Sequence, residues 1–305
     1  MIYDILILGG GPAGYTAALY ATRAGRRVAV VERMASGGQM CLTAQIDNYP
    51  GFPEGVDGNT LGGYFEAQAR RFGGETVWGE IEKVDLASDP KRVTVDGSEY
   101  EAWAIIIATG ATHRHLDVEG EERLLGRGVG YCAACDGMLF RGKRVAVVGG
   151  GDSAVGDALI LSELCEQVTL IHRRAEFRAA RVLTEALKRK ENITLRTESR
   201  VKTICGEKKV EAVELETPRG IERLALDGVF ISVGREPATV LFSGQLSLDE
   251  AGYVIAGEDT KASLPGVFAA GDVRTKTVRQ VITAAADGAV AAHAAEEYLN
   301  AIDRG

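Results

Sequence analysis

Basic charge, long apolar runs and paired cysteines are all scarce in this chain, and each shortage excludes something. Its 35 Lys and Arg residues are outnumbered by 43 Asp and Glu, leaving a formal net charge of -8. That provides no basic footprint for nucleic acid or for an anionic membrane surface, so any phosphate must be bound by local devices. No stretch approaches the ~18 consecutive apolar residues that a membrane-spanning helix needs. The strand-like Ile2 to Leu8 run enters a glycine loop directly, with no basic leader or cleavage site, so the expectation is a cytoplasmic protein that binds neither nucleic acid nor membrane. Cysteine occurs five times, at 41, 132, 135, 165 and 205. An odd count with one close pair is not the disulfide framework of a secreted fold, and Cys41, Cys165 and Cys205 read as small packing residues.

What the chain does have is a repeat. Residues 5–33 read ILILGGGPAGYTAALYATRAGRRVAVVER, and residues 145–173 read VAVVGGGDSAVGDALILSELCEQVTLIHR. Gly9 and Gly149 open the two glycine runs at an offset of 140 residues, and Glu32 and His172 close the second strands at the same offset. Each copy is an apolar run, three glycines, an alanine-rich helical stretch and a second apolar run, which is a βαβ unit implying a parallel sheet. One glycine fingerprint is a weak signal; two in register are strong. Gly9 allows the tight turn, Gly11 lets backbone approach a pyrophosphate, and Gly14 lets the helix pack close to the strand. The anion then sits at the helix N-terminus. Gly149 and Gly151 repeat the first two roles, with Ala154 in the third. The expected fold is therefore α/β, with two Rossmann-like dinucleotide-binding domains.

The second strands distinguish the nucleotides. Glu32 suits hydrogen bonding to a free ribose 2′-OH, as in FAD. His172, Arg173, Arg174 and Arg178 form a basic cluster that suits the 2′-phosphate of NADPH, where a carboxylate would repel it. Further along, AIIIATGA (104–111) and VFAAGD (267–272) read as buried strands ending in turns. Asp272 is either a helix cap or a ligand of a flavin ribityl chain. The alanine-rich stretch from Arg279, Gln280 and Val281 towards Tyr298 is a helix whose N-terminus suits an anionic flavin ring.

YCAACDG (131–137) places Cys132 and Cys135 within disulfide reach across two small residues. Such a pair favours the thiolate and exchanges with other disulfides. A zinc site needs four ligands, and no second pair exists. Asp136 reads either as an Asp-Gly turn residue or as a proton shuttle for the thiols.

In order and spacing, GGGPAG, SGGQM, IDNYPGF, IIIATGA, CAACDG, GGGDSA, HRRAEFRA and AAGDV…RQVITAAADG resemble the low-molecular-weight thioredoxin reductases from residue 4 to about 298. The resemblance implies a three-layer FAD domain (1–112 and 243–305) interrupted by an NADPH domain (113–242), a homodimer, and thioredoxin or a thioredoxin-like disulfide protein as partner. FAD is implied at Gly9, Gly11, Pro12, Ala13, Gly14, Glu32, Gly38, Gln39, Thr43, Asn48, Ala108, Thr109, Gly110, Gly271, Asp272, Arg279, Gln280 and Val281. NADPH is implied at Gly149, Gly151, Asp152, Ser153, Ala154, His172, Arg173, Arg174 and Arg178. Cys135 would lie nearer the flavin, Cys132 would attack the partner, and Asp136 would serve as acid–base. Two departures stand out: Ala133-Ala134 where the family commonly has Ala-Thr, and Gly156-Asp157 where two glutamates are usual. A ferredoxin–NADP reductase shares both folds but lacks the cysteines. Reduced ferredoxin as donor is an alternative that HRRAEFR argues against, and another disulfide protein as partner is a second alternative that needs the same chemistry.

Overall fold

The computed structural model describes residues 2–43 and 45–302. The chain forms two compact units, residues 1–112 with 236–305, and residues 113–235.

In the first unit a seven-stranded sheet runs in the order Glu75–Trp78, Val28–Glu32, Ile2–Leu8, Ser98–Ile107, Lys91–Val95 and Ile81–Asp85, with Val267–Ala269 also pairing on Ser98–Ile107. Strands Glu75–Trp78, Val28–Glu32, Ile2–Leu8, Ser98–Ile107 and Val267–Ala269 are mutually parallel. Their register aligns Leu8 with Val31 and Ile107, and Ile107 with Ala269, so four strands end at one level. The near-continuous apolar runs of Val28–Glu32, Ile2–Leu8, Val267–Ala269 and residues 104–107 follow from burial on both faces, whereas the edge strand Glu75–Trp78 is not buried. Ile5, Ile7, Val30, Ile106 and Phe268 face the helices Pro12–Arg23 and Val281–Ile302. Leu6, Leu8, Val31, Ile105 and Ile107 face Phe242, Leu246 and Val254. The two helices pack closely because Gly288 has no side chain: a Cβ there would lie 2.2 Å from the Ala13 carbonyl oxygen.

The second unit has a five-stranded sheet, all of its pairings parallel, in the order Ile193–Arg196, Gln167–Ile171, Arg144–Val148, Gly228–Ile231 and Val129–Gly130. Val145, Val147, Val168, Leu170 and Phe230 pack with residues of the helices Asp152–Ser162 and Arg181–Lys188. The opposite face packs on Ile204, Val213 and Leu215 of an antiparallel sheet formed by Arg200–Cys205, Ala212–Thr217 and Gly220–Ala225. Two Rossmann-like layers of this kind match the expected fold class.

The return to the first unit falls between Arg235 and Glu236 rather than after residue 242. The intervening residues belong to the first unit by their bonds: Ala238 N donates to Gly110 O at 3.0 Å and Thr109 Oγ1 to Ala238 O at 2.8 Å, while Phe242 is fully buried in that unit's core. Among the described residues no helix is long and apolar enough to cross a membrane.

Candidate active site

The first glycine loop leaves the C-terminal end of Ile2–Leu8 and is shaped by what it cannot accommodate. Gly9 has φ +110°, and a Cβ there would lie 2.4 Å from Ala108 O. A Cβ on Gly14 would lie 1.9 Å from Gly9 O, so this glycine sets how closely the helix meets the loop. Gly11 is the opposite case: a Cβ there meets nothing within 4 Å. Gly11 also caps Pro12–Arg23 without any side-chain cap bond, so open space and an uncapped positive helix end coincide, a fit for a diphosphate. Glu32 is locked beside it. Its Oε2 accepts from Gly10 N at 2.7 Å, and its Oε1 from Arg33 N at 2.8 Å and Met34 N at 3.0 Å. A carboxylate has about four acceptor positions, so one remains for a ribose hydroxyl.

Pairwise contacts join the other residues expected around the flavin. A Cβ on Gly38 would lie 3.4 Å from the Gly11 Cα, and the Gln39 amide donates to Ala111 O. Thr43 O accepts from Gly58 N at 3.1 Å, and Asn48 Nδ2 donates to Gln280 Oε1 at 3.0 Å, although 232 residues separate that pair. Gly271 has φ +79°, and a Cβ there would lie 3.0 Å from the Ala13 Cβ. Arg279 lies 4.1 Å over the Tyr253 ring and donates to the Asp272 carbonyl at 3.4 Å. Val281 begins the final helix. These segments, far apart in sequence, meet beyond the carboxyl ends of the parallel strands, where open α/β sheets bind ligands.

Sequence reasoning missed the group that supports this turn. Asp287, buried in the final helix, accepts from Arg274 Nε (2.9 Å), Arg274 Nη2 (2.8 Å), Lys276 Nζ (2.8 Å) and Gly271 N (2.9 Å). Burial pushes this carboxyl up, but its bonds to Arg274 and Lys276 and their charges prevail and hold it below its ordinary value. The signal was present: an aspartate inside an alanine-rich buried helix demands partners.

The second unit repeats the loop. A Cβ on Gly149 would lie 2.2 Å from Ser232 O, while one on Gly151 meets nothing within 4 Å. Gly151 caps Asp152–Ser162 with no side-chain cap bond. Asp152, an acid beside the proposed anion position, is turned to Ala180 N at 2.7 Å. Ser153 is exposed and Ala154 is fully buried. Arg178 N donates to Gly150 O at 2.7 Å, which ties the basic segment to the loop. Arg173, Arg174 and Arg178 are exposed. His172 is not part of that exposed cluster. It is buried under the loop, so that a Cβ on Gly150 would lie 2.2 Å from its ring. Its Nε2 donates to Glu176 O at 3.1 Å, its ring stacks on Phe177, and burial pushes its pKa down. The positive charge at this turn is therefore that of the three arginines. On the neighbouring helix, Asp157 accepts from Ser232 Oγ, and burial pushes its carboxyl up.

Cys132 and Cys135 form a disulfide, with their Cα atoms 5.3 Å apart. Cys132 caps the short helix Ala133–Asp136, its carbonyl accepting from Cys135 N at 3.2 Å and Asp136 N at 3.1 Å. Ala133 and Gly137 anchor the motif on the core, Gly137 so tightly that a Cβ would lie 3.1 Å from Leu161 Cδ2. The Asp136 carboxylate lies beside Gly130, 3.3 Å from where a Cβ would be. The other thiols differ. Burial pushes Cys165 up to about 11 and raises Cys41, whose Sγ donates to Ser36 O at 3.1 Å.

A family model for pyridine nucleotide-disulphide oxidoreductases matches residues 3–288. The chain belongs to that family. The thioredoxin reductase of Listeria innocua is 44% identical to it over 301 residues, covering 98% of this chain and 94% of its own. That of Mycolicibacterium smegmatis is 44% identical over 301 residues, with coverages of 98% and 97%. Among solved structures, the thioredoxin reductase from Streptococcus pyogenes matches with a TM-score of 0.92 at 42% identity, covering 98% of this chain and 99% of its own. The resemblance drawn from the motifs is thus borne out, and this member of the family carries both glycine loops and the cysteine pair.

Proposed function

We propose that the protein is an NADPH-dependent flavoprotein disulfide reductase, moving an electron pair from NADPH through FAD to Cys132–Cys135 and on to the disulfide of thioredoxin. The observation that carries this reading is the Cys132–Cys135 disulfide, formed in the same unit as an open, uncapped glycine loop flanked by three exposed arginines. Bound FAD supplies the two-electron relay between a nicotinamide and a disulfide.

The chain's own residues do the rest. Gly9, Gly11, Pro12, Ala13 and Gly14 receive the FAD diphosphate, and the remaining acceptor position of Glu32 takes the ribose. Gly38, Gln39, Thr43, Asn48, Ala108, Thr109, Gly110, Gly271, Asp272, Arg279, Gln280 and Val281 line the flavin portion. Gly149, Gly151, Asp152, Ser153 and Ala154 receive NADPH, and Arg173, Arg174 and Arg178 pair with its 2′-phosphate. Under this reading the electron pair enters at Cys135, the Cys132–Cys135 S–S bond breaks and Cys132 leaves as a thiolate. The Cys132 thiolate then attacks one sulfur of the partner's disulfide and the partner's other sulfur leaves. Attack of Cys135 on Cys132 recloses the pair and releases a dithiol partner. Asp136 moves the protons that the departing thiolates need. The proposed setting is a cytoplasmic homodimer acting on thioredoxin or a similar disulfide protein, with neither nucleic acid nor membrane as partner.

The test is anaerobic mixing of the holoenzyme with NADPH, NADH or reduced ferredoxin, followed by oxidised thioredoxin, while flavin absorbance is recorded. Bleaching by NADPH, reversed by thioredoxin, is expected. If only reduced ferredoxin bleaches it, the donor assigned here is wrong.

A further inference from the structure

Tyr131 immediately precedes the disulfide and is held by residues that the reaction above leaves unused. Its hydroxyl donates to Glu121 Oε1 at 2.7 Å, and His115 Nδ1 lies 2.9 Å from the same hydroxyl oxygen. Glu121 is only 2% exposed, and Oε2 also accepts from Leu116 N at 3.0 Å and Asp117 N at 2.9 Å. A phenol has one proton, and here it is committed to a carboxylate that only accepts. His115 Nδ1 is therefore the donor in its contact with that oxygen. The His113 ring stacks on Tyr131 with centroids 4.9 Å apart, and the His115 ring meets it edge-on at 5.6 Å. Burial, reinforced by Glu121, pushes the Tyr131 hydroxyl well up, and burial pushes His113 down to about 4, so the stacked Tyr131 and His113 rings are both uncharged at neutral pH.

The chain on either side is also fixed. Gly130 pairs with Phe230 in the parallel sheet, and the Cys132 carbonyl caps the following helix. The clamp on Tyr131 closes the gap between these two anchors.

We propose that Tyr131, gripped by Glu121, His115 and His113, is a positioning residue for Cys132 that keeps its backbone in place when the disulfide opens. This rests on the reading of Cys132–Cys135 as the redox pair. Closing a disulfide is favoured by the effective concentration of one thiol at the other, which falls when the backbone between them gains freedom. Releasing Tyr131 frees the dithiol form more than the cross-linked form, so the equilibrium shifts towards dithiol.

The experiment equilibrates holoenzyme with graded ratios of reduced and oxidised dithiothreitol, without NADPH, and reads the fraction of Cys132–Cys135 disulfide by alkylation and mass spectrometry. Each turnover opens one disulfide and closes one cyclic dithiothreitol disulfide, so electrons and protons balance. Tyr131→Ala is expected to shift the equilibrium about tenfold towards dithiol, or ~30 mV for a two-electron couple. Tyr131→Phe, which keeps the stack and loses the hydroxyl, and Glu121→Gln are expected to shift it the same way by less. If Tyr131→Ala folds with an unaltered melting temperature and an unaltered equilibrium, the inference is overturned. If it does not fold, an unaltered equilibrium in both Tyr131→Phe and Glu121→Gln overturns it instead. A wild-type pair that never opens reversibly would overturn the proposed function and this inference together.

Discussion

Asp287→Asn tests whether a buried charge cluster holds the turn at Gly271. The wild-type carboxylate accepts four hydrogen bonds, from Gly271 N, Lys276 Nζ and twice from Arg274, which uses about all the acceptor positions it has. Arg274 is 3% exposed and Asp287 7% exposed, so solvent cannot replace the lost bonds. The amide keeps the shape but removes the negative charge that is hydrogen-bonded to two buried cations, leaving Arg274 only the charges of Glu258 and Asp259. Breaking a buried pair from one side costs about 3–5 kcal/mol. For a unit of this size that corresponds to a fall of roughly 6–20 °C in melting temperature. Under the proposed function, displacement of the turn at Gly271 as the neighbouring cations lose their charged partner also weakens FAD binding, by about tenfold or more.

The pH dependence supplies a second readout. Because Arg274 and Lys276 hold Asp287 below its ordinary range against the effect of burial, the ionised group stabilises the fold above the unfolded pKa of ~3.9. That stability is lost as pH falls through the lower folded value. The gap between wild type and Asp287→Asn should therefore be complete at neutral pH and narrow in strong acid. Calorimetry at several pH values and titration of apoenzyme with FAD measure both effects. A variant that melts within ~2 °C of wild type at neutral pH and binds FAD normally would refute the reasoning.

Four further outcomes follow from the same geometry. Gly150→Ala drives a Cβ into the His172 ring at 2.2 Å and is expected to cost about 1–3 kcal/mol in thermal unfolding. Gly151→Ala meets open space, so its stability should stay within ~0.5 kcal/mol while the KM for NADPH rises at least tenfold; equal melting losses in the two variants would contradict this. Replacing Arg174 and Arg178 with Gln removes charged hydrogen bonds worth ~1.5–3 kcal/mol each, raising the KM for NADPH well over tenfold and leaving that for NADH nearly unchanged in steady-state assays. Cys132→Ser should abolish thioredoxin reduction yet retain NADPH oxidation with an artificial quinone acceptor, and loss of both would argue against the cysteine pair as the last relay.

What the sequence revealed and what it hid divide along physical lines. Gly9, Gly14 and Gly149 were legible because each meets a backbone atom that admits no side chain, and such constraints leave a local pattern. The buried strands were legible because burial on both faces produces runs such as AIIIATGA. Asn48 with Gln280, and Asp287 with Arg274, were not legible as pairs: a buried aspartate in an alanine-rich helix shows that Asp287 needs partners, but only tertiary packing shows which residues they are. The return crossing was placed too late for the same reason: bonds from Ala238 to Gly110 and Thr109 assign that segment to the first unit, and nothing in its own composition shows it. Glu121 read as one acid among 43 Asp and Glu, and only the fold shows it buried beneath Tyr131.

The internal repeat shows why one fold serves two nucleotides. Glu32 and His172 occupy equivalent places, each packed against the middle glycine of its loop. Glu32 is tied by three backbone N–H groups and cannot swing away, so a 2′-phosphate arriving there would meet a fixed negative charge. In the second copy the same space holds an imidazole whose charge burial suppresses. Removing the acid is thus the first step in admitting a phosphate, and the arginines are the second. Arg178 is brought to the loop by its own backbone, through Gly150 O, not by the strand-end residue. Under the proposed function, selectivity in this arrangement comes from a repulsion kept on one side and deleted on the other, with attraction added only where the repulsion is gone.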